Sequence, residues 1–332
     1  MLTSDADDAQ VKIVDFGFAT EVNGNNLRDL LGTPAYVAPE MLNHRPYGKP
    51  VDMWAFGVIV YVLLAGYLPF YAHENQVMYS KIKKGNFQFH AKHWINISNT
   101  VKDLIRGLLT LNPDRRLTVD QALNHEWFRQ TDAVLEKKKL DKSMNELRRF
   151  QIRKRFRAAV RALMAIERFK SMLKIKDTSA IENQVAGMNI NGVQPPPPPI
   201  PALPRIMNYH YFLGDQLGEG FYAKVYTGIN QTTKDEVAVK VFIKKKMKAV
   251  EQANLQAEFE LMKEIDHPNI VKYYEFFDEP DKFYLIMEKL YGGELFDRIT
   301  KKLHYNENEA KDLAKVLLTA IKYLHDRNII HR

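Results

Sequence analysis

The run of 18 uncharged residues at 53–70 (MWAFGVIVYVLLAGYLPF) is the sequence feature that most constrains the fold. Eighteen apolar residues are the lower limit for a membrane-spanning helix. This run, however, contains Gly57, Gly66 and Pro69 and directly follows the charged Asp52. A helix that is apolar on every side and is not a membrane span has to be buried in a protein core. We therefore predict a protein with no membrane span, built around one central helix.

Length and residue composition limit the possible classes of protein. The chain has 332 residues, 45% of them hydrophobic, and this length predicts about two domains. The absence of cysteine excludes disulfide scaffolds, cysteine-based zinc sites, iron–sulfur centres and thiol nucleophiles. The first eight residues are acidic and lack the apolar run of a signal peptide, so we expect a cytoplasmic protein, with the nucleus as the alternative.

The net charge of +8 is concentrated in one segment. Residues 136–176 contain 15 Lys and Arg against 4 Asp and Glu, a local charge of +11, so the rest of the chain carries −3. A protein that binds nucleic acid through phosphate contacts needs a broad basic surface. We therefore expect no nucleic-acid partner and interpret the charge as one basic helix.

Composition divides the chain into four regions. Residues 1–130 combine a short strand at 11–14 with helices and with loops rich in Gly and Pro. Residues 133–177 lack Gly and Pro and predict one long basic amphipathic helix. Residues 178–207 contain seven prolines and predict an extended linker. Residues 208–332 predict strands, followed by a helix at 307–327.

The strand-rich region contains a set of phosphate-binding signals. Residues 217–225 (LGEGFYAKV) place two glycines where a hairpin backbone could approach phosphates, although a hairpin without a ligand is the commoner explanation of that pattern taken alone. Lys240 ends an alternating strand, and a lysine on an inward-facing position needs an anionic partner. Glu258 follows 18 residues later, on a helix predicted near 250–265. This spacing predicts a lysine that binds phosphate and a carboxylate that orients it.

The order of these signals resembles the small lobe of the eukaryotic protein kinases. Residues 284–290 (YLIMEKL) resemble the gatekeeper and hinge, with Met287 as gatekeeper and the backbone of Glu288 and Leu290 facing adenine. In residues 292–296 (GGELF), the resemblance implies that Glu294 contacts the ribose and a basic residue of a protein substrate. The resemblance implies ATP as cofactor, bound through Leu217, Gly218, Gly220, Val225, Ala238, Lys240, Met287, Glu288, Leu290 and Glu294.

The first part of the chain resembles the large kinase lobe. Residues 15–17 (DFG) resemble the magnesium-binding motif, in which the Asp15 carboxylate holds Mg²⁺ against the phosphates. Residues 32–40 (GTPAYVAPE) resemble the loop that positions a serine or threonine substrate, and Thr33 takes that role. In the family the glutamate that ends this loop, here Glu40, pairs with the arginine equivalent to Arg116. The resemblance implies an α+β fold with a small β-rich lobe and a large helical lobe.

The basic helix resembles the regulatory segment of the calcium/calmodulin-dependent protein kinase II family, through residues 147–156 (LRRFQIRKRF). Large apolar residues recur at positions one, five, eight and fourteen of a calmodulin-type anchor series: Phe156, Val160, Leu163 and Phe169. We therefore expect this helix to bind calcium–calmodulin. The two alternatives to calmodulin binding are a helix that packs only on its own kinase and a helix that lies on a membrane surface. Ser143 takes the autophosphorylation position, with Leu140 where a basic residue is expected.

The kinase segments occur in inverted order, with the large-lobe motifs first. After residues 329–332 (IIHR) the family continues with a catalytic Asp and a metal-binding Asn, which do not follow here. A circular permutant, a fragment of a tandem kinase and a broken gene model all fit this order, and we favour a fragment whose lobes fit together. The expected function is phosphoryl transfer from Mg-ATP to protein Ser or Thr. The alternative is an inactive pseudokinase that binds nucleotide and calmodulin.

Overall fold

The computed structural model describes residues 1–152, 205–206, 210–219 and 223–332. The predicted linker up to residue 204 and the second part of the predicted basic helix lie outside this part of the chain.

Residues 1–152 are mainly helical. The short strand β1 covers Thr20–Glu21, and 3₁₀ turns cover Pro34–Tyr36 and Pro113–Arg115. The helices are α1 (Pro39–Leu42), α2 (Pro50–Ala65), α3 (Asn75–Lys84), α4 (Ala91–Trp94), α5 (Asn99–Leu108), α6 (Val119–Leu123), α7 (Glu126–Arg129), α8 (Asp132–Glu136) and α9 (residues 141–152).

Most of the uncharged run, residues 53–65, lies in α2, the central helix. Pro50 begins the helix, where its missing N–H costs nothing, and Gly66 ends it in the left-handed conformation with φ 78°. Trp54, Val58 and Leu64 are fully buried, as expected for a helix that is apolar on every side. In the described part of the chain, no helix has the length and apolar character needed to cross a membrane.

The second part of the chain forms a six-stranded antiparallel sheet in the order β2–β3–β4–β5–β7–β6. The strands and their helix are β2 (Arg205–Ile206), β3 (Tyr211–Glu219), β4 (Ala223–Asn230), β5 (Glu236–Ile243), α10 (Ala249–Met262), β6 (Tyr273–Asp278) and β7 (Lys282–Glu288), with a 3₁₀ turn at Lys244–Lys246. Next come α11 (Leu295–Lys301), α12 (Glu307–Asp326) and β8 (Ile329–Ile330). The predicted α+β fold, with a β-rich small lobe and a helical large lobe, is confirmed.

The two ends of the chain pack into one body. β1 pairs with β8 in an antiparallel ladder that joins Thr20 to Ile330. Ile13 forms a parallel bridge with Ile270, next to the sheet. Buried residues of α12, such as Leu318, belong to the same apolar core as α2. Segments that are distant in sequence therefore share one core.

Two predictions of local structure are wrong. Residues 11–14 form isolated bridges, not a strand. The helix predicted over 133–177 is interrupted between α8 and α9, because the backbone there bonds to the chain before α12. The Leu140 N–H donates to the Tyr305 carbonyl at 2.9 Å, and the Lys138 carbonyl accepts from the Glu307 N–H at 3.0 Å. Tertiary hydrogen bonds replace the helical ones at this point.

A buried ion pair joins α1 to the turn before α6, as predicted. Arg116 donates two parallel hydrogen bonds to Glu40, at 2.7 and 2.9 Å, and both side chains are almost fully buried. Arg116 also donates to the carbonyl groups of Pro50 and Thr110. A paired arrangement of this kind satisfies both charges, but either partner alone is costly in the core.

We expect Arg116→Met to lower the free energy of unfolding by about 3–5 kcal/mol, because it leaves the Glu40 carboxylate buried and unpaired. Denaturant unfolding measures this change. Lys245→Met is the control, since Lys245 and its partner Asp281 are both largely exposed, and it should change stability by less than about 0.5 kcal/mol. Equal effects of the two substitutions would contradict the prediction.

Candidate active site

An ion pair between Lys240 and Asp15, which are 225 positions apart in the sequence, lies at the centre of the site. The register of the sheet places Lys240 between Val225 on β4 and Leu285 on β7. The Lys240 Nζ atom lies 2.9 Å from Oδ1 of Asp15. Burial raises the pKa of the Asp15 carboxyl, but the charge and hydrogen bond of Lys240 outweigh burial and hold the pKa below its usual value. Asp15 is therefore a carboxylate at neutral pH.

The residue after Asp15 anchors this pair in the core. Asp15 has φ 65°, a left-handed conformation that is uncommon for a residue with a side chain. This turn directs Phe16 into the interior, where it is fully buried. Its ring packs edge-on against His331, with ring centroids 4.8 Å apart, and against Tyr273, at 6.4 Å. The packing of Phe16 thus fixes the position of the backbone that carries the Asp15 carboxylate.

Glu258 lies beside this pair, but its contacts differ from those expected. It is buried on α10 and accepts a hydrogen bond at 3.0 Å from the Tyr273 hydroxyl. Among the ion pairs of the described residues, Lys240 bonds to Asp15 and not to Glu258. Burial raises the pKa of Glu258, although the nearby charge of Lys240 partly offsets this effect. Sequence analysis did not single out Tyr273.

Neighbouring strands bring the predicted nucleotide-contacting residues together. Gly218 on β3 pairs with Val225 on β4, and Ala238 on β5 pairs with Met287 on β7. Leu217 is half exposed, and a Cβ atom at Gly218 would meet no other atom within 4 Å. The surface beside the Gly-rich turn is therefore open. Gly220 lies outside the described residues.

The predicted hinge is held by contacts to two other segments. The Glu288 N–H donates to the Lys272 carbonyl at 2.9 Å, and the Glu288 carboxylate accepts from Lys12 Nζ at 2.7 Å. The backbone N–H of Glu288 is therefore already engaged within the protein. Leu290 is half-buried against the apolar cluster that contains Phe16.

Thr33, one of the two predicted substrate-positioning residues, lies at the start of a short turn. Thr33 precedes the 3₁₀ turn at Pro34–Tyr36, and its carbonyl accepts from the Tyr36 N–H at 2.9 Å. Burial and the negative charge of Glu294 raise the pKa of Tyr36, in the same turn, to about 12. The charge of Glu294 therefore acts on the turn that follows Thr33.

A buried carboxylate holds the end of β8. Asp52 accepts hydrogen bonds from the backbone N–H groups of His331 and Arg332, at 2.9 and 3.0 Å, and from Nε2 of His325 at 3.1 Å. Burial raises the pKa of Asp52, but these hydrogen bonds and nearby charges lower it below its usual value. Sequence analysis gave neither Asp52 nor His325 a site role. The signal available was that Asp52 is the charge that borders the uncharged run.

A cavity of about 340 Å³ lies where these segments meet. Its lining includes Thr33, Tyr36, Asp52, His331 and Arg332. It therefore joins the predicted substrate loop to the segment held by Asp52. The described site therefore combines a lysine–carboxylate ion pair with a cavity lined by the predicted substrate loop.

The protein kinase domain matches residues 1–128 and 211–332 of this chain. The chain belongs to the protein kinase family. It is 38% identical to the calcium/calmodulin-dependent protein kinase type II subunit delta of Oryctolagus cuniculus over 190 residues, 55% of this chain and 36% of that relative. It is 34% identical to the calcium/calmodulin-dependent protein kinase type II of Caenorhabditis elegans over 221 residues, 63% of this chain and 30% of that relative. The chain therefore spans about a third of the length of these relatives.

Helix α9 lies between the two matched kinase segments and packs on the large lobe. Met144 and Leu147 are buried in the core around α2, and Ser143 is only 3% exposed. Arg148 donates to the carbonyl groups of Thr300 and Lys302, at the end of α11. The predicted calmodulin anchors at 156, 160, 163 and 169 lie outside the described residues.

Gly66 allows α9 to approach α2 closely. A Cβ atom at this position would lie 2.1 Å from the Ser143 carbonyl oxygen and 2.7 Å from the Leu147 nitrogen. Both contacts are shorter than any van der Waals distance and involve backbone atoms, so a side chain here has to displace the helix.

We expect Gly66→Ala to displace α9 and to speed hydrogen exchange of residues 141–152 by at least about tenfold. Gly24→Ala is a matched control, because Gly24 has the same φ of 78° but no atom within 4 Å of a Cβ. Both substitutions impose the same backbone strain, and only the first produces a steric clash. Similar exchange of residues 141–152 in both variants would show that Gly66 does not determine the docking of α9.

Proposed function

We propose that this chain is an ATP- and magnesium-dependent serine/threonine protein kinase of the calcium/calmodulin-dependent type. The observation that carries the proposal is the ion pair of Lys240, on the interior strand β5, and Asp15, 2.9 Å apart. A cation and an anion held at this distance suit a ligand that carries both phosphate and a divalent metal ion. Each group would then exchange its present partner for one of opposite charge on Mg-ATP.

The donor chemistry of Asp15 supports magnesium. Its side chain is 73% exposed and ionised, and carboxylate oxygen is a ligand that Mg²⁺ prefers. Within the described residues, no group of three or more His, Asp or Glu side chains could hold a metal ion. Magnesium commonly uses one or two carboxylates together with substrate phosphates, so a single carboxylate fits. When bound, Mg²⁺ would neutralise the charge of the phosphates.

The residues of this chain have distinct roles in the proposed reaction. Lys240 binds the α- and β-phosphates, and Glu258 orients Lys240 once Asp15 is engaged with the metal ion. Phe16 keeps the Asp15 carboxylate at the phosphate position through its packing on His331. Glu294 attracts a basic residue of the protein substrate, since its negative charge acts on Tyr36, in the loop that contains Thr33.

We expect Lys240→Met to weaken Mg-ATP binding by at least about tenfold, because the phosphates lose a charged hydrogen-bond donor. Isothermal titration of the full chain measures this affinity. Lys246→Met, at an exposed position on the turn after β5, is the control and should bind as the wild type does.

Transfer of ³²P from ATP to a basic serine peptide separates the two candidate functions. Turnover by the wild type that is lost in Lys240→Met supports the kinase. ATP binding without transfer supports the alternative, an inactive pseudokinase that binds nucleotide. A wild-type chain that does not bind Mg-ATP contradicts both.

The apolar series at 156–169 supports calcium–calmodulin as a partner, in line with the similarity to calcium/calmodulin-dependent protein kinases type II. We expect the full chain to bind calmodulin only in the presence of calcium. The double substitution Phe156→Asp and Leu163→Asp should weaken this binding at least about tenfold, because it places charges among the apolar anchors. Fluorescence anisotropy of labelled calmodulin measures this. Ile152→Asp is the control, because Ile152 is exposed on the same basic segment but is outside the anchor series. Equal losses, or binding without calcium, would contradict the proposal.

A further inference from the structure

Tyr273 contacts two parts of the candidate active site at once. Its side chain is 4% exposed at the start of β6, and its ring lies edge-on to Phe16. Its hydroxyl donates to Oε1 of Glu258 at 3.0 Å. The aromatic ring and the hydroxyl group therefore have separate functions that substitution can distinguish.

The hydroxyl group matters because Glu258 is buried. A buried carboxylate without a hydrogen-bond donor is costly. Among the side chains that the structure describes, the Tyr273 hydroxyl is the donor to the Glu258 carboxylate. The contact therefore both stabilises the carboxylate and fixes its rotation.

The second oxygen of Glu258 lies near the Asp15 carboxylate. A Cβ atom built on Gly17 would lie 3.6 Å from Oδ1 of Asp15 and 4.0 Å from Oε2 of Glu258. Both oxygens therefore border the same side of the turn at residues 15–17, and Oδ1 is the atom that now holds Lys240. One oxygen of Glu258 is held by Tyr273, and the other lies near the Asp15 carboxylate that now holds Lys240.

We infer that Tyr273 is a positioning residue of the nucleotide site: its hydroxyl holds Oε1 of Glu258 so that Oε2 receives Lys240 when Mg-ATP engages Asp15. This inference rests on the proposed function, because it assumes that Lys240 binds phosphate. Without the hydroxyl, Glu258 has no fixed orientation, and Lys240 keeps Asp15 as its partner. Phosphate binding then has to break the Lys240–Asp15 pair without compensation.

The test compares ATP with adenosine on the full chain by isothermal titration in the presence of magnesium. Tyr273→Phe keeps the ring on Phe16 and removes only the hydroxyl. We expect it to weaken ATP binding about tenfold, the effect of one hydrogen bond to a charged group. Adenosine binding should not change, because adenosine has no phosphate for Lys240.

Tyr274→Phe is the matched control. Tyr274 is the next residue on β6, and its side chain is 44% exposed, so losing this hydroxyl should alter neither affinity. A merely structural role for Tyr273 predicts equal losses for ATP and adenosine, which would overturn the inference. Unchanged ATP binding in Tyr273→Phe would overturn it as well.

Thermal unfolding without nucleotide tests the contact separately from the proposed function. Tyr273→Phe should lower the unfolding temperature in the wild type but not in a Glu258→Met background, where the acceptor is gone. Equal decreases in both backgrounds would overturn the inference. If the wild type binds no ATP, the proposed function fails, and this cycle still decides whether Tyr273 holds Glu258.

Discussion

The buried carboxylate of Asp52 is the interaction on which the rest of the structure depends. It lies in the first turn of the central helix α2. It accepts hydrogen bonds from two backbone N–H groups that are 279 and 280 positions later in the sequence. A carboxylate in an apolar core is tolerated only when donors surround it, and here His331, Arg332 and His325 supply them. The Asp52 carboxylate therefore fixes the position of the backbone at residues 331–332.

A continuous set of contacts runs from Asp52 to the proposed phosphate site. The His331 backbone is bonded to Asp52, and its ring packs on Phe16. Phe16 contacts Tyr273, whose hydroxyl holds Glu258. Each contact joins residues from different parts of the sequence. The positions of Asp15 and Lys240 therefore depend on the packing of the core and not on their own strand or turn alone.

The same core also holds the first part of the basic segment. Met144 and Leu147 belong to the cluster around α2, and Gly66 lets the α9 backbone come into contact with the end of that helix. Arg148 places its positive charge at the C-terminus of α11, where the last carbonyl groups lack helical partners. Packing and charge thus act together to dock a segment whose sequence alone is compatible with several partners.

The sequence by itself determined the elements with strong local signals. Uninterrupted apolar character predicted the buried α2, alternation predicted β5, and the conjunction of spaced motifs predicted a two-lobed kinase fold. The spacing of the small-lobe signals also identified Lys240, and the resemblance to the protein kinases implied Asp15 and the Glu40–Arg116 pair. The continuity of the basic helix, in contrast, was predicted wrongly, since hydrogen bonds from residues 305–307 are invisible in the local pattern.

Only the tertiary structure decided which side chains become partners. Lys240 lies on Asp15 and not on Glu258, and Tyr273 holds Glu258 instead. The cause is that ion pairs and buried hydrogen bonds depend on distances of a few ångströms between segments remote in sequence, and periodicity carries no information about such distances. The sequence therefore determined the helices, the strands and the class of chemistry, whereas packing around Asp52 and Phe16 decided which groups meet.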